Sequence, residues 1–460
     1  MNIKITKILT TLFLFMVSAH FVFAQTIAGG DTYSVAICSD STVRSWGNNS
    51  VGNLGDGTTT QRLNPVSVLN LTGIIDVSAC QNDHTLALKS DGTLWAWGYN
   101  GFGELGDSTL VDRYFPGLVL GINSVTAIHA SRNAHSLAIR TDSTLWSWGR
   151  NNYGQLGDGT IISSIYPHQV AGLSGIVAVS AGQWCTVALK SDGTVWAWGR
   201  NDYGQLGNGT LNDSYVPVQV SSITGIIAVY CGNNFTIALK NDNTVWGWGS
   251  NSFGQLGDGT TNDASVPVQA IGLNGVTAIA AGADYSLSLK TDSTLWACGR
   301  NAYGEYANGT TVQSLSPVST GVSGVIKIAA GDSHTLFVKS DSTLWTVGYN
   351  SNGQLGDGTT TDNIIPAQVQ GLCQILTGIG EKENHNPIVV NIYPNPSSNK
   401  LYLQSDEKII NLKCMNYLGQ VANVKLENNS INISSLPNGL YFLNLISHSG
   451  KSTTHKFIKE

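Results

Sequence analysis

Three histidines, His84, His135 and His334, and one cysteine, Cys185, recur at intervals close to fifty residues, and five aspartates, Asp56, Asp107, Asp158, Asp258 and Asp357, recur in the same way. Imidazole, thiolate and carboxylate groups brought together could hold a metal ion or share acid–base work. Overlaying the chain on itself removes that reading. The histidine position holds Tyr33, Phe235 and Tyr285 in other copies, and a site that accepts Phe and Tyr is a packing position. The aspartate position holds Asn208 and Asn308, so an Asx turn suits it better than a carboxylate catalyst or calcium ligand. No GxSxG, HExxH or phosphate-binding loop occurs. Neither a catalytic set, a cofactor site nor a metal site is expected, and the chain reads as a non-enzyme.

A second set of residues suits binding. Tyr99, Arg150, Arg200, Arg300 and Tyr349 follow a recurrent Trp-Gly, and Phe102, Tyr153, Tyr203, Phe253 and Tyr303 lie three residues further on. Trp184 stands where sister loops carry Asp, Ser, Ala or Asn, and an exposed position is expected for it. Tyr, Trp and Arg are over-represented where proteins grip partners. The Phe/Tyr position could equally be a packing residue that tucks under its loop.

These residues are spaced by a repeat. Seven segments of the form TVALKSDGTVWAWG (186–199) end at Gly47, Gly98, Gly149, Gly199, Gly249, Gly299 and Gly348, stepping by 51, 51, 50, 50, 50 and 49. Each is followed by a glycine-rich stretch such as GQLGDGT (154–160), then a Pro and a short apolar strand. In the fourth copy the candidate strands are Gly175–Ala181, Thr186–Leu189, Val195–Gly199 and Val216–Val220, with Ser191-Asp192-Gly193 as a tight primed turn. Alternation places Val195 and Ala197 on one sheet face and Trp196 and Trp198 on the other. A sheet apolar on both faces must be covered on both, and radially stacked blades do that. Eleven of the 12 Trp fall in this one strand, as plates between blades.

The fold expected is all-β: a seven-bladed β-propeller of ~50-residue repeats followed by a small Ig-like β-sandwich. Strands at the end of the last repeat should complete a blade with strands at the start of the first. Deviations gather at that seam: Arg44 replaces the first Trp of the pair, Cys298 and Val347 the second, and 304–310 reads GEYANGT. In a four-strand meander the 1–2 and 3–4 loops share one face, so Trp184 and the Arg and aromatic positions lie together. The opposite face pairs Lys89 with Asp91, Arg140 with Asp142 and Lys190 with Asp192, a neutralised and solvated surface. The 7 cysteines, among them Cys38, Cys80, Cys185 and Cys373, are odd in number and lack any CxxC; they are expected as small buried hydrophobes, not a disulfide framework.

On these motifs the chain resembles the regulator of chromosome condensation repeat family (AGxxHT, DGxxWxWG, GQLGxG) over about residues 26–380. The resemblance implies a seven-bladed propeller. It leaves function open, since relatives include a nuclear exchange factor for a small GTPase and a secreted bacterial inhibitor of β-lactamases.

Both ends read as addresses. Residues 1–24 carry Lys4 and Lys7, an apolar run from Ile8 to Val17, and Val22-Phe23-Ala24 before Gln25: a secretory signal peptide cut after Ala24. No stretch is long and apolar enough to span a membrane. From residue 387, after a linker at 381–386, Tyr393-Pro394-Asn395-Pro396, Leu418-Gly419-Gln420, Leu436-Pro437-Asn438-Gly439-Leu440-Tyr441 and a basic end resemble the C-terminal sorting domain of the type IX secretion system. That resemblance implies recognition by the secretion machinery and a secreted or outer-membrane surface location. The net charge of −6, with +2 on 1–24 and +2 on 381–460, leaves −10 on 25–380, which disfavours nucleic acid. The expected function is therefore a non-catalytic protein-binding scaffold acting outside the cell. A glycan-binding propeller is the alternative, and guanine-nucleotide exchange or an undetected hydrolase are weaker ones.

Overall fold

The computed structural model describes residues 25–80, 83–376, 390–405, 408–416, 421–422, 424–427, 430–447 and 452–460. The signal segment 1–24, the linker 381–386 and Leu418–Gln420 lie outside them. The chain forms two compact units that divide after Ile379.

The first unit holds seven four-stranded antiparallel sheets, each built of four strands consecutive in the chain. In blade 4 they are Ile176–Ala181, Cys185–Lys190, Val195–Gly199 and Ser214–Gln219. Val195, Ala197 and Trp198 are fully buried, and Trp196 is half-buried. The buried tryptophan of the pair ties blades together: Trp198 Nε1 donates to the Gln155 carbonyl of blade 3 at 2.8 Å, and Trp46, Trp97, Trp148 and Trp248 repeat the bond. Its half-buried companion lies under a basic stem, as where Lys339 Nζ sits 4.1 Å from the Trp345 ring centre. The same basic residues pair with the hairpin aspartates, Lys190 with Asp192 at 3.5 Å and Lys240 with Asp242 at 2.9 Å, so that rim is neutralised as expected.

The hairpin is not a primed turn. Gly193 N donates to Lys190 O, Lys190 N to Thr194 O, and Gly193 has a positive φ of 78°. This is a type I turn closed by one left-handed residue, the three-residue hairpin loop. Asp192 Oδ1 holds it by accepting from the Thr194 amide and hydroxyl. Ser41, Ser143, Ser293 and Ser342 take the left-handed place in other blades, with φ of 60–65°.

The ring closes differently from expectation. The innermost strand of blade 1 is Ile27–Gly29, three residues where other blades have six. Its outer end comes from the far end of the repeat region: Ile375 bridges Cys38, Leu376 N donates to Ile37 O, and Ser39 N donates to Gln374 O. One strand is thus completed by three residues from the other terminus, and no whole strand is exchanged. The cysteine reading is corrected at the same place. Cys38 and Cys373 form a disulfide across 335 residues of chain, while Cys80, Cys185, Cys231, Cys298 and Cys414 are buried and outside any disulfide.

The second unit has two four-stranded sheets whose inner faces share one core of Leu401, Leu403, Ile431, Leu443, Leu445 and Phe457. It is the small sandwich read from the sequence.

Candidate binding face

The loops on the expected face are each tied together from within by one residue missed by the sequence reading. Asn151, fully buried, donates from Nδ2 to Asp158 Oδ1 (3.2 Å), Thr160 O (3.1 Å) and Ile162 O (3.1 Å) and accepts from Leu156 N (2.9 Å). Asn49, Asn100, Asn201, Asn251, Asn301 and Asn350 occupy the same place, all buried. Its recurrence in all seven copies was the available signal. Asp158 and Asn208 both cap the following Thr through Oδ1, which is the Asx role expected of them.

The histidines are clips between blades. His84 Nε2 meets Ser136 Oγ, His135 Nε2 meets Thr186 Oγ1, and His334 Nε2 meets Ser34 Oγ, each at 2.9 Å. Burial drives all three imidazoles down to a pKa of about 3, so they are neutral. Tyr33 and Tyr285 reach the next blade instead through their hydroxyls, at 2.7 Å from the carbonyls of His84 and His334.

On this scaffold the Arg and aromatic side chains form two strings. In the first, Tyr99 meets Phe102 edge-on at 6.5 Å. Arg150 lies 4.4 Å from the Phe102 ring centre and 4.5 Å from that of Trp184. Trp184 packs on Tyr153 at 5.0 Å, and Arg200 lies 5.2 Å from the Tyr153 ring. In the second, Arg300 lies 5.8 Å from Phe253 and 5.5 Å from Tyr303, and Tyr303 meets Tyr349 at 4.7 Å. Ser250 stands where a linking arginine would join them. Tyr203, 36% exposed, has no ring partner among the described residues, and Arg200 is drawn beside it by a fork to Asp202. Trp184 is half-buried between Arg150 and Tyr153, less exposed than its sequence context suggested, because the neighbouring loop supplies both partners.

Toward the axis Arg132 crosses the channel mouth. It donates to Ala281 O at 2.6 Å and Cys231 O at 3.3 Å, and pairs with Asp332 at 3.3 Å. Burial and the neighbouring Asp332 raise Asp31 to about 7, and burial and Asp31 raise Asp83 to about 7. Beneath lies a narrow channel lined by Gln25, Ala28, His129, Tyr230 and Ala280. Arg132 was missed by the sequence reading; its signal is a loop, Ser131–His135, one residue longer than Gly182–Cys185. Apolar side chains on outermost strands were missed too: Tyr114, Phe115 and Tyr166 are 43%, 56% and 58% exposed.

Comparison with known proteins supports the architecture. The RCC1-like domain family matches residues 14–227, the regulator of chromosome condensation (RCC1) repeat matches 242–289, 292–338 and 341–375, and the secretion system C-terminal sorting domain matches 391–460. The ultraviolet-B receptor UVR8 of Arabidopsis thaliana is 32% identical over 36% of this chain and 38% of its own length. The mouse E3 ubiquitin-protein ligase HERC2 is 33% identical over 34% of this chain and 3% of its own. The chain thus spans well under two thirds of these relatives. The fold is shared with Prp20p of Saccharomyces cerevisiae (TM-score 0.63, 24% identity, 76% of this chain and 90% of that one). Human WBSCR16 shares it too (TM-score 0.64, 23% identity, 71% and 93%). Among the described residues no helix is long and apolar enough to cross a membrane.

Proposed function

Proceeding from a propeller of regulator of chromosome condensation repeats joined to a secretion-system sorting domain, we propose that this chain is an exported, non-catalytic scaffold that binds a protein partner through the face carrying Trp184 and Tyr203. The observation that supports the reading is the string Tyr99–Phe102–Arg150–Trp184–Tyr153–Arg200. Its side chains are half-buried and packed on one another, so each is only partly covered by its neighbours. Such preorganised aromatic and Arg groups lose little entropy on binding. The sorting tail supports secretion or surface export, and the secretion machinery is its first partner. Removal of residues 1–24 after Ala24 belongs to the same reading.

Affinity capture tests it, with residues 25–460 as bait beside the W184A/Y203A double variant, against extracts of neighbouring and host cells. A protein retained by the parent and lost from the variant is the expected result. Equal retention by both would move the site to another face, the exposed outer-strand aromatics first. Retention of a glycan on an array, with no protein, would replace the scaffold by a lectin.

A further inference from the structure

The innermost strands are alike except beside the start of the folded chain. At the position paired with the residue before the hairpin's basic residue, blades 3 to 6 carry Ala127, Ala178, Ala228 and Ala278. Blade 2 carries Asp76, paired with Leu88, and blade 7 carries Lys327, paired with Val338. Blade 1 has Thr26 there, whose carbonyl accepts from Ile37 N. The two charged residues of this ring therefore flank the point where the chain enters the propeller. Lys327 Nζ donates to Thr26 Oγ1 at 3.2 Å.

On the other side Gln25 is seated by three bonds. Its main-chain N donates to Asp76 Oδ1 at 2.7 Å, its carbonyl accepts from Val77 N at 3.0 Å, and its Nε2 donates to Tyr230 Oη at 3.4 Å. Asp76 is 4% exposed. With residue 24 attached, the Gln25 nitrogen is a neutral amide. Burial then holds the Asp76 carboxyl up at about 8, against the downward pull of the Gln25, Val77 and Ile128 amides and of Lys327. A buried acid in that state is an unsolved problem for the fold.

We infer that Asp76 is the docking site for the α-ammonium group created when residues 1–24 are removed, so that leader cleavage supplies the ion pair that completes the channel wall. In that step a signal peptidase adds water across the Ala24–Gln25 bond. The hydroxyl goes to the Ala24 carbonyl carbon, and the freed amine takes up, as ammonium, the proton that the new acid releases. The positive charge then sits at hydrogen-bond distance from Asp76, whose carboxyl gives up its own proton to water and ionises. An ordinary α-ammonium titrates near 7.7–8.0, and this pairing raises it.

Two measurements on residues 25–460 test the inference. The first compares chains beginning at Gln25 with chains that retain Phe23-Ala24, each with Asp76 and with D76N. The substitution should lower the melting temperature by roughly 5 °C in the Gln25 form and leave the extended form nearly unchanged. Equal losses in both forms would overturn the pairing. The second needs no variant: acylation of the α-amine by an amine-reactive ester near neutral pH should be at least about tenfold slower in the folded protein than in urea. An unprotected amine in the folded protein would overturn it. So would an exported chain whose intact mass places its first residue elsewhere. A mass short by one ammonia would do the same, because Gln25 would then have closed to a neutral lactam.

Discussion

Tyr306 and Val347 occupy one buried cluster at the junction of blades 6 and 7, and each stands where the other blades carry a different size of side chain. Leu54, Leu105, Leu156, Leu206, Leu256 and Leu355 fill the first position, and Trp46, Trp97, Trp148, Trp198 and Trp248 the second. The larger residue on one side answers the smaller on the other. Ala307 completes the exchange. At the equivalent Gly157 a Cβ would lie 2.7 Å from Trp198 Nε1, so glycine is required wherever the next blade supplies the indole. With Val347 next door, alanine fits even at a φ of 64°. V347W alone should therefore destabilise by about 1–3 kcal/mol through overpacking. The triple variant Y306L/A307G/V347W should recover most of that in thermal unfolding, whereas additive losses would show that the three positions are independent.

Removing the disulfide should cost more than most single substitutions. The C38S/C373S chain should lose about 2–5 kcal/mol, and the parent should lose a similar amount in a thiol reductant strong enough to open the bond. Denaturant titration with and without reductant checks this. Equal stability in both conditions would mean that the hydrogen bonds of Gln374 and Leu376 close the ring unaided.

His135→Phe tests the clip reading through pH. The folded imidazole is held near 3 by burial, and unfolded histidine titrates near 6.5. Below 6.5 the unfolded state binds a proton that the folded state refuses. The histidine's contribution is therefore complete above 6.5 and is lost as pH falls toward 3, by up to about 1.4 kcal/mol per unit. Asp31, Asp83 and Glu104, raised to about 7, run the other way between their ordinary values and 7, so the parent's own profile mixes both trends. The difference between parent and variant isolates the histidine. The variant should be the less stable at pH 7.5, having lost the bond to Thr186, and should overtake the parent by about pH 5. A gap that does not change with pH would refute the assignment.

The left-handed serines offer a stabilising change. S143G and S293G should each add about 0.5–1 kcal/mol in thermal unfolding, since Gly193 already serves that place in blade 4. A loss would mean that the hydroxyls make bonds worth more than the strain.

Much of the propeller was legible because the same pattern recurs seven times in register, and each copy checks the others. Val195 and Ala197 on one side and Trp196 and Trp198 on the other announced two apolar faces, and the spacing of Gly47 to Gly348 set the blade count. The same comparison hid what happens only once. Cys38 aligns with Lys89, Arg140 and Lys190, and an uncharged residue there was the sign that it had a different neighbour. Its partner Cys373 lies beyond the aligned segments, and pairing non-equivalent positions requires the closed ring. The hairpin was misjudged because Asp-Gly suits both a primed turn and a type I turn ending in a left-handed residue; the serines at that single position decide for the second. The strings on the binding face depend on contacts between neighbouring blades, which a repeat-by-repeat reading does not supply. Arg132 was overlooked because its role begins with one extra loop residue.

The Cys38–Cys373 bond changes the topology of the covalent chain between those two residues from a line to a loop. A single proteolytic cut anywhere within that loop leaves the two pieces joined. The nicked propeller keeps all seven blades tethered and can re-form its contacts at intramolecular concentration, so shedding any part of the segment between the two cysteines takes two cuts, or one cut and a reductant.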